Sequence, residues 1–144
     1  MIILDTNVLS ELIKGGPTRS PVVASWFRAR ALSTLVTTTP AIAELRAGVE
    51  VLPDGARKHA LEAGIGILLT RFEGRILPFG PDAARAFGKI VARRRRTGMP
   101  TSDPFDLQIA AIARVAGMAV ATRNVMDFQE CGVEMVDPWT ARSP

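Results

Sequence analysis

The sequence predicts an α/β domain in which a mainly parallel β-sheet carries helices on both faces. Short apolar runs bounded by turn residues recur along the chain, and the longer segments between them have apolar residues at helical spacing. Strands that alternate with helices are joined by crossover connections, which make neighbouring strands parallel. The chain has 144 residues, of which 47% are apolar, enough for a substantial core. We therefore expect residues 1–144 to form a single domain.

The individual elements follow from these patterns. The five candidate strands are Met1 to Leu4, Leu35 to Thr38, Arg75 to Pro78, Met118 to Ala121 and Glu134 to Val136. The six candidate helices are Val8 to Lys14, Val22 to Arg30, Ala41 to Leu52, Ala56 to Phe72, Ala83 to Arg96 and Phe105 to Ala116. Thr39 and Asp103 each stand directly before a proline, which predicts that they cap helices whose first residue is that proline.

Charge, cysteine content and hydropathy limit the classes of function. The net charge of +4 predicts attraction to polyanions. Cys131 is the only cysteine, so an internal disulfide and a cysteine-based zinc site are excluded, a pattern typical of the reducing cytoplasm. No apolar stretch approaches the roughly 20 residues that a membrane span needs, and the opening MIIL leads into an acid instead of a cleavage site. We expect a cytoplasmic protein without membrane association.

Asp5 stands where the first predicted strand gives way to a helix, in MIILDTNVLSEL. Ligands of open α/β sheets bind beyond the carboxyl ends of the strands, and this position places Asp5 at that edge. The alternative is that Asp5, or Thr6, only caps the following helix, whose free amide groups need an acceptor. The local sequence does not choose between the two interpretations.

Two further acids are predicted to reach the same edge. Glu44 lies near the start of a helix that follows a strand, and the small neighbours Ala41 and Gly48 leave room for a ligand, although an ordinary solvated glutamate fits the pattern too. Asp106 comes three residues after the predicted cap Asp103. Residues 107–113 are so apolar that their helix must be largely buried, and a buried acid needs a partner.

A fourth polar position follows the late strand in AVATRNVMDF. Either Asn124 or Asp127 could reach the strand edge there. Carboxylates gathered at one edge repel one another unless a cation lies among them. Oxygen ligands without cysteine or histidine favour Mg²⁺ or Mn²⁺, and such ions bridge phosphate oxygens and activate water. An acidic site on a basic protein therefore predicts hydrolysis of a phosphodiester.

These motifs, taken together, resemble PIN-domain ribonucleases, specifically the VapC toxins of type II toxin–antitoxin pairs and their FitB-like branch. The matching segments are DTNVLSEL, AIAELRAGV, PFDLQIAAIA, ATRNVMDF and VDPW. The resemblance implies a three-layer α/β/α domain with a five-stranded parallel sheet, Mg²⁺-dependent endoribonuclease activity and inhibition by a cognate antitoxin. Asp5, Glu44 and Asp106 match the family's acidic positions. Where some members have a fourth acid this chain has Asn124, with Asp127 as the substitute.

Partner surfaces are less clearly marked by the sequence. Arg93, Arg94, Arg95 and Arg96 end a predicted helix and could contact RNA phosphates or form a solvated helix end. The resemblance implies a homodimer and an antitoxin that binds near the first two helices and directs an arginine toward the acids. Leu9, Leu12, Ile13, Trp26 and Phe27 could supply an exposed apolar surface for this or could pack into the domain's own core.

Two other functions fit an acidic pocket at strand ends. One is a receiver-like or other small Mg²⁺-binding module, which would normally pair its acids with a lysine at the end of a late strand. Lys14, Lys58 and Lys89, the only lysines, lie elsewhere. The other is a catalytically inactive partner-binding module, against which the three retained carboxylates argue.

Overall fold

A computed structural model describes residues 1–141 and contains a five-stranded sheet in which every neighbouring pair is parallel. The strand order is β3-β2-β1-β4-β5. The strands are β1 (Ile2–Leu4), β2 (Leu35–Thr38), β3 (Ile76–Leu77), β4 (Ala119–Ala121) and β5 (Met135–Val136). The chain runs outward from β1 to β3 and then returns to the other side of β1. Because parallel crossovers are right-handed, this reversal places helices on both faces of the sheet.

Six α-helices lie within the described residues: α1 (Thr6–Ile13), α2 (Pro21–Arg28), α3 (Thr39–Glu50), α4 (Ala56–Arg71), α5 (Pro81–Arg96) and α6 (Pro104–Ala116). Single 3₁₀ turns cover Gly16–Thr18, Leu32–Thr34 and Val125–Phe128. All five strands and six helices that the sequence predicts are present in the predicted order. The predicted three-layer α/β/α architecture with a parallel sheet is confirmed.

The two proline-associated helix starts differ from each other. At α6 the prediction is confirmed, because the Asp103 carboxylate accepts a hydrogen bond from the Phe105 amide at 2.8 Å. At α3 it is wrong by one residue. Thr38 is the cap, and its hydroxyl accepts from the Ala41 amide at 3.2 Å, so Thr39 is already helical. The reason is that Thr38 keeps the extended backbone of β2, which leaves Pro40 at the second helical position.

The core is formed by the strands together with the inner faces of the helices. Leu9 of α1 is fully buried and Trp26 of α2 is 5% exposed, so of the two alternatives that the sequence left open, packing into the core holds for these residues. Leu12, Ile13 and Phe27 are half-buried against the same core. Between residues 1 and 141, no helix is both long and apolar enough to cross a lipid bilayer.

Candidate active site

A pocket of about 470 Å³ opens at the carboxyl edge of the sheet, where strand order reverses between β1 and β4. Each acid predicted from the sequence contributes to its wall, together with small polar residues of α1. The lining residues are Asp5, Thr6, Asn7, Ser10, Glu44, Asp103, Asp106, Asn124 and Asp127. The fold therefore brings together positions that are up to 122 residues apart in the chain.

Three of these acids form a compact cluster. One carboxylate oxygen from each of Asp5, Glu44 and Asp106 lies within 4.8 Å of the other two. Asp5 follows β1 directly, Glu44 lies in the second turn of α3, and Asp106 lies in the first turn of α6. Each helix begins at the carboxyl edge of the sheet, so its early residues face the pocket.

Asp5 is both a helix cap and a member of the cluster, so the two interpretations that the sequence left open hold together. Its Oδ1 accepts from the Thr6 amide at 2.7 Å. Its Oδ2 accepts from the Thr122 hydroxyl at 2.7 Å and from Asn7 Nδ2 at 2.9 Å. The residue is 2% exposed. These bonds fix the direction of the carboxylate.

Asn7 and Thr122 hold the Asp5 carboxylate and are not among the site residues predicted from the sequence. Asn7 Nδ2 also donates to Thr122 Oγ1 at 3.1 Å, and its Oδ1 accepts from the Arg123 amide at 3.2 Å. Thr122 Oγ1 further accepts from the Asn124 amide at 3.0 Å. The available signal was the similarity of DTN after β1 and TRN after β4, two polar triplets at the ends of apolar strands.

Burial and the neighbouring negative charges disfavour the ionised forms of Asp5 and Asp106. Burial raises the pKa of Asp5 to about 6, against the hydrogen bond from Thr122 that lowers it. Burial raises the pKa of Asp106 to about 7, and the charges of Asp5 and Glu44 add to the effect. Smaller contributions that raise the Asp106 pKa come from the charges of Asp127 and Asp103. The cluster is thus an unfavourable place for three negative charges.

The residues present fit a divalent cation. None of the ion pairs formed within residues 1–141 includes Asp5, Glu44 or Asp106. Asp106 is only 8% exposed, yet its carboxylate accepts no hydrogen bond from the described part of the chain. This carboxylate borders the pocket and is partly desolvated, and a desolvated carboxylate without a protein partner is costly. Hard oxygen donors at this spacing are the ligands that Mg²⁺ and Mn²⁺ prefer.

Asn124 and Asp127, the two candidates for the fourth position, both line the pocket, so both remain candidates. Asn124 is exposed, and Asp127 is half-buried in the 3₁₀ turn that follows β4. Asp127 acts on Asp106 through its charge. Asp103, which we expected only to cap α6, also lines the pocket.

The arginine run is not a uniform basic surface. Arg94 is 4% exposed and donates to backbone carbonyls and to the Ser102 hydroxyl, so the prediction that it contacts RNA is wrong. Arg93 is exposed but paired with Glu130, with 2.8 Å between Nε and the carboxylate. Arg95 and Arg96 are exposed and keep the predicted role as candidates. The helix turns each successive arginine by about 100°, which separates their environments.

Comparison with known proteins identifies the family. A sequence model of the PIN domain matches residues 2–131. The chain belongs to the PIN domain family. This PIN domain is 37% identical over 140 residues to the VapC ribonuclease Y4jK of Sinorhizobium fredii, covering 96% of the chain and 98% of that protein. It is 34% identical over 140 residues to the toxin FitB of Neisseria gonorrhoeae, covering 96% and 99%.

The solved structures agree with this membership. The crystal structure of FitAcB from Neisseria gonorrhoeae superposes with a TM-score of 0.89 at 33% identity, covering 98% of this chain and 100% of that one. The family that the motifs predicted is confirmed. A receiver-like fold is excluded because its strand order, 2-1-3-4-5, differs from the observed β3-β2-β1-β4-β5.

Proposed function

We propose that this PIN domain is a metal-dependent endoribonuclease that acts as the toxin of a toxin–antitoxin pair and hydrolyses RNA phosphodiester bonds. The observation that carries this function is the cluster of Asp5, Glu44 and Asp106, whose oxygens lie within 4.8 Å without a basic partner in residues 1–141. A VapC ribonuclease and a FitB toxin among its full-length relatives support the same activity and biological role.

Each side chain has a separate task in this proposal. Asp5, Glu44 and Asp106 hold the cation, and Asn124 or Asp127 completes the set of oxygen donors. Mg²⁺ or Mn²⁺, when bound, activates water and offsets charge on the scissile phosphate. Thr122 and Asn7 orient Asp5. Because the pKa of Asp5 is raised to about 6 and that of Asp106 to about 7, cation binding competes with protonation of these carboxylates and should strengthen as pH rises through these values.

The activity is tested with purified protein and a mixture of single-stranded and hairpin RNA. We expect cleavage in Mg²⁺ or Mn²⁺ and none in excess chelator, with new 5′ ends at discrete positions in single-stranded segments or loops. Cleavage that persists after the metal has been removed would contradict the metal-dependent chemistry.

Arg95 and Arg96 are proposed to contact the phosphate backbone of the RNA. Replacing both with Gln should weaken RNA binding and reduce the slope of log affinity against log salt by roughly 0.7 for each lost contact. Cleavage at saturating RNA should change little. The matched control is Arg85→Gln with Lys89→Gln, which removes two exposed charges from the same helix. If the slope of log affinity against log salt is the same in the two variants, Arg95 and Arg96 do not contact RNA and only form a solvated helix end.

An apolar groove of about 680 Å³ adjoins the acidic pocket and shares Thr6, Ser10 and Glu44 with it. It lies between α1, α3 and α4, and its apolar lining residues include Ile13, Leu45, Val49 and Leu61. A smaller groove of about 310 Å³ between α1, α2 and α4 includes Leu12 and Phe27. We propose that the antitoxin binds along these grooves and directs an arginine toward the acids, which blocks the active site.

Gly48 offers a specific test, because it lines the larger groove and a Cβ atom there meets no other atom within 4 Å. Gly48→Trp should fill the groove without disturbing the core and weaken antitoxin binding by more than about tenfold, or 1.4 kcal/mol. Gly88→Trp on α5 is the matched control, since its Cβ would also enter open space. Parent-like antitoxin affinity in Gly48→Trp would contradict the groove as the binding site.

We also propose that the protein forms a homodimer, which its resemblance to VapC and FitB toxins implies. Val51 at the end of α3 is 82% exposed and Ile67 on α4 is 65% exposed. Single exposed apolar side chains are common on monomers, so this part of the proposal rests on the resemblance. Light scattering should give a dimer at micromolar concentration, and a stable monomer would contradict this assembly.

A further inference from the structure

A buried arginine lies behind the candidate active site and takes no part in the chemistry described so far. The Arg94 guanidinium donates through Nη1 to the Gln129 carbonyl, and through Nη2 to the Pro100 carbonyl at 3.0 Å and the Ser102 hydroxyl at 2.6 Å. Within residues 1–141 it has no acidic partner at ion-pair distance. Its charge is therefore met by carbonyl and hydroxyl dipoles of two loops and by the Cys131 sulfur, which lies 4.0 Å from Nη1.

These two loops carry acids of the pocket. The connection between α5 and α6 contains Pro100 and Ser102 and ends at Asp103. The 3₁₀ turn Val125–Phe128 contains Asp127 and is followed by Gln129. The Ser102 hydroxyl, which accepts from Arg94, donates to the Asp127 carbonyl at 3.3 Å. Arg94 and Ser102 thus bind the backbone carbonyls of Asp127 and Gln129 to the loop that leads into Asp103.

An arginine at position 94 is better explained by the need to hold these two loops together than by stability alone. A buried charge is expensive to desolvate, and an apolar side chain of similar size often gives equal or greater stability. The planar fork of arginine can donate to several acceptors in fixed directions, whereas a lysine ammonium on a flexible stem cannot hold the same set. An arginine here is therefore better explained by the need to fix two loops relative to each other.

We propose that Arg94 is a positioning residue, which holds the Asp127 turn against the α5–α6 loop so that this wall of the pocket keeps its place relative to Asp106. The inference rests on the proposed function, because the wall matters only if the pocket holds a cation. Residues that orient metal ligands from behind typically change metal affinity by about 10- to 100-fold when they are replaced.

The test compares Arg94→Lys with Arg75→Lys. Arg75 is a matched control because it also donates to three backbone carbonyls, those of Leu32, Leu35 and Arg71, but at the opposite edge of the sheet. Both variants should lower the melting temperature. Only Arg94→Lys should speed hydrogen exchange of the Asp127 and Gln129 amides in the metal-free protein, and only it should raise the Mn²⁺ concentration for half-saturation by about tenfold or more.

Hydrogen exchange and Mn²⁺ binding test the role of Arg94 without depending on RNA cleavage. Mn²⁺ binding is measured by the loss of the free-ion electron paramagnetic resonance signal, without RNA, and the cleavage rate at saturating Mn²⁺ should stay near that of the parent. If Arg94→Lys does not fold, Ser102→Ala should produce the same changes in exchange and half-saturation. Parent-like values for both in a folded variant would overturn the inference. If the parent protein binds Mn²⁺ but cleaves no RNA, the proposed activity is wrong. Hydrogen exchange and Mn²⁺ binding in the variants would still decide whether Arg94 positions the Asp127 turn.

Discussion

Asp106→Asn is expected to abolish metal-dependent RNA cleavage while leaving the protein folded. A neutral amide is nearly the same shape as the carboxylate but a poor ligand for a hard divalent ion. The loss should be at least about 100-fold, the upper end of what the loss of a supporting residue costs. In the metal-free protein the same change removes a buried carboxylate that accepts no hydrogen bond from residues 1–141, so the melting temperature should be unchanged or higher. Initial cleavage rates at saturating Mg²⁺, with melting curves in chelator, measure both effects.

The matched control for this substitution is Asp82→Asn. Asp82 is an exposed acid in the first turn of α5 and pairs with Arg85, away from the pocket. It should cleave like the parent, because the charge that it loses lies in solvent. If Asp106→Asn and Asp82→Asn cleave RNA equally fast, the assigned site is wrong.

The metal-free protein is expected to lose stability as pH rises from 5 to 7.5. The folded-state pKa values of Asp5 and Asp106, about 6 and about 7, lie above the ordinary value of 3.8. Over this interval the folded state binds more protons than the unfolded state, so the free energy of unfolding falls as pH rises. With about 1.4 kcal/mol for each pH unit and two coupled groups, the loss is on the order of 2–4 kcal/mol. Chemical unfolding in chelator across this pH range measures it.

Magnesium should oppose this loss, because only the ionised cluster binds it well. A ligand that binds only the folded state adds RT ln(1 + [L]/Kd), or about 2.7 kcal/mol at a hundredfold excess over Kd. The gain should grow as pH rises through the two pKa values. Asp5→Asn combined with Asp106→Asn should remove both the pH dependence and the gain. A magnesium-induced melting shift that survives in this double variant would place the ion elsewhere.

The acidic cluster was predictable because its members mark boundaries between elements. Asp5 directly follows an apolar strand, and Asp106 lies in the first turn of an apolar helix, so each acid departs from the apolar pattern around it. The supporting residues were not predictable in the same way. Thr122 reaches Asp5 only because β4 pairs with β1, a neighbour relation that depends on strand order and is absent from local sequence.

The burial of Arg94 follows from the spacing of the buried residues on α5, but the run of four arginines obscures this pattern. On α5 the buried residues Ala83, Ala86 and Ile90 repeat at helical spacing, and Arg94 lies four residues after Ile90. The stripe therefore predicts that this arginine faces inward, although four identical charged residues suggest a solvated end. At the start of α3, Pro40 favoured Thr39 as the cap, whereas the extended backbone of β2 continues through Thr38 and makes that residue the cap.

The most direct test of the metal-dependent active site is to locate the ion. Crystals of the parent grown with Mn²⁺ and measured near the manganese absorption edge should show one anomalous peak or two in the acidic pocket. We expect a peak about 2.1 Å from carboxylate oxygens of Asp5 and Asp106. Anomalous density at other sites only, with the pocket free of manganese at a concentration that supports cleavage, would contradict it.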